Sequence, residues 1–186
     1  LTEYKDKISY IQVSDSKTAI ARLGYLAYTN FPPKMVAVTG TNGKTSVVNM
    51  VRQLAAICGH HCASLGTIGL KIDDLPATST AEIFTRINNL LNLTTMPWLE
   101  LRYILSMLKK HNIKLVAMEA SSHGLHQGRI EGLKFQAVAF TNLTQDHLDY
   151  HKSLENYAAA KAKLLEENLS EGATVVINSD ADYADY

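Results

Sequence analysis

The stretch VAVTGTNGKTSVVN, Val36 to Asn49, constrains the fold more than any other part of the chain. A short apolar run enters Gly40-Thr41-Asn42-Gly43-Lys44-Thr45-Ser46, and an amphipathic segment, Val47 to Ile57, leaves it. Strand, glycine turn and helix together make a phosphate loop. Backbone N–H groups and the helix N-terminus surround phosphate oxygens, Lys44 reaches the β- and γ-phosphates, and the Thr45 hydroxyl is placed to ligate Mg²⁺. The glycines permit positive φ and a close approach of backbone to ligand. The usual motif has another glycine five residues before Gly43, where this chain has Val38, so the loop is the shortened form G-x-x-G-K-T. An ordinary glycine turn would share the strand and helix; Lys44-Thr45 directly after Gly43 favours phosphate binding.

Further strands are predicted over 62–65, 113–118, 137–140 and 173–177, and helices over 17–28, 99–110 and 154–169. A strand over 8–13 and a short helix over 81–91 are also expected, while 71–93 is the least legible region. Strands alternating with helices imply an α/β fold with a mostly parallel sheet covered on both faces. Ligands then sit beyond the carboxyl ends of the strands. The polar groups of interest all follow strands: Gly40 to Thr45, Glu119, Asn142 to His147, and Asn178 to Asp180.

Lys and Arg total 18 against 18 Asp and Glu, so no global basic field invites nucleic acid or an anionic membrane. No apolar run reaches the ~18 residues of a membrane span, and a cytoplasmic setting is expected. Cys58-Gly59-His60-His61-Cys62 has metal-ligand residue types. Gly59, however, reads as the residue closing the helix, Cys62 as the start of the next strand, and no second cysteine pair completes a zinc site. The chain opens on Leu1 and runs to Tyr186 without a terminating signal, so a piece of a longer protein is expected.

Glu119 ends an apolar strand beside the phosphate loop, where an acid typically holds Mg²⁺. Taken with it, four motifs resemble the Mur ligase family: Thr39 to Thr45, Glu119-Ala120-Ser121-Ser122-His123-Gly124-Leu125, Thr141 to His151, and Tyr157-Ala158-Ala159-Ala160-Lys161. The run from Ser121 to Arg129 is most similar to the members that add the third residue of the peptidoglycan stem peptide. The resemblance covers roughly residues 36–182. It implies that 1–34 are the tail of a uridine-nucleotide-binding domain plus a linker. Residues 35–186 would be part of the central ATP-binding domain, with the C-terminal ligase domain absent and the fragment inactive alone.

The resemblance further implies an ATP-dependent ligase in peptidoglycan biosynthesis, with an acyl-phosphate intermediate. Its substrates would be UDP-N-acetylmuramoyl-L-alanyl-D-glutamate and a diamino acid, either meso-diaminopimelate or L-lysine. ATP would lie on Gly40, Thr41, Asn42, Gly43, Lys44, Thr45, Ser46 and Asn142. Mg²⁺ would be held by Thr45 and Glu119, and a second ion by His147 and a carbamylated Lys161. Lys44, His147 and Lys161 would be the catalytic set, and a monomer is expected. Thr94, Thr95, Ser121, Gln127 and Arg129 match positions that hold the muramoyl substrate. The family usually has Thr-Thr-Pro where this chain has Thr94-Thr95-Met96-Pro97. Folylpolyglutamate synthases and cyanophycin synthetases share the phosphate loop and the Asp-His pair but not the run from Ser121 to Arg129. A nucleotide-binding module without chemistry would be expected to lack Glu119, His147 and Lys161, all of which are present.

Overall fold

The computed structural model describes residues 12–73 and 93–180, with Pro76, Thr78, Ala81 and Ile83 between them. In chain order the elements are α1 (Ser16–Ala27), β1 (Lys34–Thr39), α2 (Lys44–Ile57), β2 (Cys62–Gly66), β3 (Gly69–Asp73) and α3 (Trp98–Lys110). They continue with β4 (Leu115–Glu119), α4 (Ser122–His126), β5 (Phe135–Phe140), α5 (Leu148–His151), α6 (Leu154–Glu167) and β6 (Leu169–Ile177). The strands form one sheet in the order β3-β2-β4-β1-β5-β6. Every neighbouring pair is parallel except the β2–β3 hairpin at one edge.

The central strands carry apolar residues on both faces because both are covered. Ala37 and Val38 of β1 and Val116 and Ala117 of β4 are fully buried. On one face α3 contributes Leu101, Ile104, Leu105 and Leu108, a stripe at helical spacing that packs into the main core. On the other, Val48 of α2 packs on Val38 and Ala117. Each buried leucine of the α3 stripe contributes about 2 kcal/mol by area alone. Register then places the chemistry: Val38 pairs with Glu119, and Thr39 with Phe140, so three strands end at one level.

Gly59 closes α2 as expected. It has φ 77°, with N–H bonds from Gly59 to the Ala56 carbonyl at 2.8 Å and from His60 to Ala55 at 3.0 Å. Other boundaries differ from expectation. The first turn of α2 begins at Lys44 itself. The turn expected at 120–124 becomes one helical turn, capped by Ser121 Oγ accepting from Gly124 N at 3.1 Å. Helix α6 stops at Glu167 and β6 starts at Leu169, earlier than predicted, because buried Asn168 donates its side-chain amide to the Ile130 and Leu133 carbonyls. Strand β3 is too short and mixed in pattern to announce itself; its hairpin pairing with β2 creates it. Of the strand expected over 8–13, residues 8–11 lie outside the described residues, and Gln12 and Val13 are not in a strand. The helix expected over 81–91 lies outside them too, apart from helical Ala81 and Ile83.

Candidate active site

The loop after β1 is held from two sides. Gly40 has φ 137° and Gly43 φ 82°, a region that strains any residue with a side chain. A Cβ at Gly40 would also collide with the Thr141 hydroxyl. The loop after β5 braces this one. Thr41 N donates to the Asn142 carbonyl at 2.9 Å, and Asn42 N donates to Asn142 Oδ1 at 2.9 Å. Thr41 Oγ1 donates to the Thr144 carbonyl and accepts from Thr144 N and the Tyr157 hydroxyl. The first turn of α2, whose N–H groups lack carbonyl partners inside the helix, therefore opens on a fixed rim.

Lys44 folds back over the loop, its Nζ donating to the carbonyls of Gly40 and Thr41 at 2.8 Å each. Burial pulls its pKa down, with Glu119 and Asp146 acting in the opposite direction. Across from it, Thr45 Oγ1 donates to Glu119 Oε1 at 2.9 Å. Glu119 is also oriented by Thr67, from N to Oε1 at 2.9 Å and from Oγ1 to Oε2 at 3.1 Å. The carboxylate lies so close to the β2 backbone that a Cβ at Gly66 would strike it. An oxygen-only set of carboxylate and hydroxyls suits a hard cation such as Mg²⁺.

Thr45, Thr67, Glu119, Thr94, Ser121 and His147 line, with residues 41–44 and 46, one cavity of about 380 Å³. Thr94 and Thr67 share a hydroxyl contact at 3.0 Å. Thr95 is buried just behind: its Oγ1 donates to the Glu119 carbonyl, accepts from Ser121 N and lies 3.1 Å from Ser121 Oγ. The extra Met96 does not disturb this arrangement, because its side chain goes into the core. Arg129 donates from Nη1 to the Thr95 carbonyl and from Nε and Nη2 to Gln127 Oε1.

His147 stands at φ 52°, and its backbone N–H donates to Asp146 Oδ1 at 2.8 Å. Lys161 does not line the cavity. It is buried behind the loop, with Nζ donating to the Gly40 carbonyl at 2.9 Å and lying 4.4 Å from the Tyr157 ring centre. Burial first, and then Lys44, bring its pKa down to about 7. Lys163 faces a separate groove with His126 and Tyr150, as a ~200° separation around the helix requires. The Asn178–Asp180 turn is not among the cavity-lining residues; Asn178 N bonds the Phe140 carbonyl.

Residues 38–186 match the Mur ligase middle domain. The chain belongs to the Mur ligase family. The UDP-N-acetylmuramoyl-L-alanyl-D-glutamate–2,6-diaminopimelate ligase of Rickettsia bellii is 40% identical over 170 residues, 91% of this chain and 34% of that protein. The ligase of the same name from Zymomonas mobilis is 40% identical over 171 residues, 92% of this chain and 33% of the relative. A solved structure of a ligase of that name superposes with a TM-score of 0.69 at 36% identity, covering 88% of this chain and 30% of the other. The chain thus spans about a third of the length of the relatives it matches. The fold recurs at 18% identity and TM-score 0.57 in a MurF ligase from Thermotoga maritima in complex with ADP. That match covers 91% of this chain and 34% of that one. Among the described residues no helix is long and apolar enough to cross a membrane.

Within this candidate site, sequence reading missed Thr67 and Tyr157. Thr67 sits in the β2–β3 turn and supplies two of the bonds to Glu119. Tyr157 was legible only as part of a motif, yet its hydroxyl reaches the phosphate loop. No spacing rule points to either, since each acts through a contact between segments far apart in the chain.

Proposed function

We propose that this chain is the phosphate-handling part of an ATP-dependent ligase that joins a diamino acid to UDP-N-acetylmuramoyl-L-alanyl-D-glutamate in peptidoglycan synthesis. Residues 1–34 would close a preceding uridine-nucleotide-binding domain and its linker. Residues 35–186 would be part of the central ATP-binding domain, with the C-terminal ligase domain outside this chain. The observation that carries the reading is one cavity lined both by the phosphate loop and Glu119 and by Thr94 and Ser121 from the acceptor motifs. It is supported by relatives whose names specify diaminopimelate.

Phosphoryl transfer needs positioning and charge neutralisation more than covalent chemistry. In the proposed reaction an acceptor carboxylate oxygen attacks the γ-phosphorus, the bond to the β-bridging oxygen breaks, and ADP leaves. The amine of the incoming amino acid then attacks the acyl carbon. The tetrahedral intermediate expels inorganic phosphate, and the nitrogen loses a proton. Lys44 and the loop amides follow the charge on the γ-phosphate; Asn142 holds that loop in shape. Thr94, Ser121 and Arg129, the last set by Gln127 and Thr95, position the acceptor.

Thr45 and Glu119 would hold Mg²⁺, whose contribution is neutralisation of phosphate charge. His147, at the cavity wall, and Lys161 would hold a second ion, Lys161 as its carbamate. Carbamylation requires a neutral amine. Burial supplies one near neutral pH, and a carbamate N–H can keep the bond to Gly40. We take the protein as a monomer in a reducing cytoplasm, a setting that suits the exposed free thiol of Cys58.

The test is ADP release by the full-length protein with Mg²⁺, ATP and the muramoyl dipeptide against a panel of amino acids. Release that requires the dipeptide and one diamino acid supports the proposal. Release that ignores the dipeptide but responds to a folate or a peptide polymer refutes the substrate.

A further inference from the structure

Three segments meet around Tyr150, which none of the roles above uses. Its hydroxyl lies 2.9 Å from His126 Nδ1 and 3.2 Å from Gln127 Nε2. Its ring packs at a tilt against His123 with centres 4.1 Å apart, and the His123 and His147 rings meet edge to face at 4.8 Å. Tyr150 therefore touches both the arm carrying Gln127 and Arg129 and, through His123, the loop carrying His147.

The chemistry of the partners sets the direction of this network. A guanidinium only donates, so the Gln127 atom facing Arg129 Nε and Nη2 must be the carbonyl oxygen. The amide nitrogen then faces Tyr150 and also only donates, so the phenolic oxygen accepts from it. That leaves the phenol proton for His126 Nδ1. The chain runs from Arg129 to Gln127, from Gln127 to Tyr150 and from Tyr150 to His126, each group donating to the next. With Nη1 on the Thr95 carbonyl, three of the five guanidinium N–H groups are engaged, and the plane of the fork is fixed with two left for a ligand.

We infer that Tyr150 is a positioning residue for the acceptor: its hydroxyl locks the Gln127 amide in the one orientation that presents its oxygen to Arg129, and so aims the guanidinium at an acceptor carboxylate. The inference rests on the ligase reading above and deepens it. Without the hydroxyl, Gln127 loses an acceptor and Arg129 a rigid neighbour, while the phosphate loop and the Thr45–Glu119 pair keep every partner described for them. The ring, and its tilted contact with His123, survives in Tyr150→Phe. The loss should therefore fall on acceptor binding alone.

The experiment measures steady-state ADP release by the full-length protein and its Y150F, Q127A and Y150F/Q127A variants, varying the muramoyl dipeptide and ATP separately. The expected result for Y150F is a rise of about fivefold in KM for the dipeptide, the worth of one neutral hydrogen bond. KM for ATP and kcat should stay at the wild-type values. In the Q127A background the same change should leave KM for the dipeptide unmoved, because the hydroxyl acts through Gln127. Equal dipeptide KM in wild type and Y150F, or a rise that persists undiminished without Gln127, overturns the inference while leaving the ligase reading intact. A wild-type protein indifferent to the dipeptide overturns both. A Y150F variant that loses kcat and both KM values together, with a lowered melting temperature, assigns Tyr150 a merely structural role and also overturns it.

Discussion

Replacing Lys161 by Met should stabilise the chain, and by an amount that depends on pH. The side chain is essentially fully buried at 1% exposure, and its pKa falls from an ordinary 10.5 to about 7. Between those values the unfolded chain binds a proton that the folded chain does not, so the wild-type protein gains stability as pH rises from 7 to 10.5. Below pH 7 the full cost of burying a cation is present. At pH 7 that cost is about 4 kcal/mol, and at pH 9 about 2 kcal/mol, from the two pKa values alone. Methionine has similar length and no charge. It gives up the bond to the Gly40 carbonyl, worth ~1 kcal/mol, but that carbonyl keeps Lys44 at 2.8 Å. The variant should therefore be more stable by about 3 kcal/mol at pH 7 and by about 1 kcal/mol at pH 9. Urea unfolding in carbon-dioxide-free buffer at the two pH values measures the difference directly. A gap that does not shrink between pH 7 and pH 9, or a variant less stable at both, would refute the account of Lys161 as a buried and largely uncharged amine.

Other consequences are more local. Adding ¹³C-bicarbonate at pH 8 should give a carbamate carbon resonance in the wild-type chain that is missing from Lys161→Met; identical spectra would count against modification. Gly66→Ala should drive a methyl into the Glu119 carboxylate, costing roughly 1–3 kcal/mol of stability and removing Mg²⁺-dependent ADP release from the full-length protein. Retained release would mean that the carboxylate position is not needed. Thr67→Val removes one of the hydroxyl bonds to Glu119 and should weaken Mg²⁺ dependence about tenfold without unfolding the chain, as judged by a Mg²⁺ titration of ADP release. Residues 1–186 alone, about a third of the relatives' length, should show no amino-acid-dependent phosphate release; measurable release would show that the ligase chemistry is complete within them.

How much of this was legible in the sequence depended on whether a residue acts through its neighbours in the chain or across the sheet. The phosphate loop is local: glycines with positive φ, a lysine and the first turn of a helix lie within a few residues, and the structure places them as the spacing required. Glu119 was legible because a parallel sheet brings strand ends together, and the pairing of Val38 with Glu119 does so. Strand β3 was not, since GLKID has neither alternation nor length and owes its conformation to pairing with β2. Thr67 went unread for the same reason, lying in the turn of that hairpin. The early stop of α6 turns on Asn168 reaching carbonyls more than 30 residues away, which no helix-end rule contains.

The two lysines gain a shared logic from the one carbonyl they both contact. Gly40 accepts from Lys44 at 2.8 Å and from Lys161 at 2.9 Å. Two cations on one neutral oxygen repel, and burial together with Lys44 brings the pKa of the more deeply buried Lys161 down to about 7. Lys44 has three N–H donors, two of them on the Gly40 and Thr41 carbonyls, and we take it to leave both when it turns toward a phosphate. Among the described residues the buried Gly40 carbonyl then keeps Lys161 as its side-chain donor, as an amine or as a carbamate N–H. The same Lys161→Met change that stabilises the chain alone should therefore weaken nucleotide binding, because the orphaned carbonyl costs ~1–3 kcal/mol in the bound state only. Calorimetric titration with ATP and Mg²⁺ should show affinity lower by about fivefold to 150-fold in the variant. Unchanged affinity would mean that Lys44 holds Gly40 and the phosphate at once, and that Lys161 has no part in loading the loop.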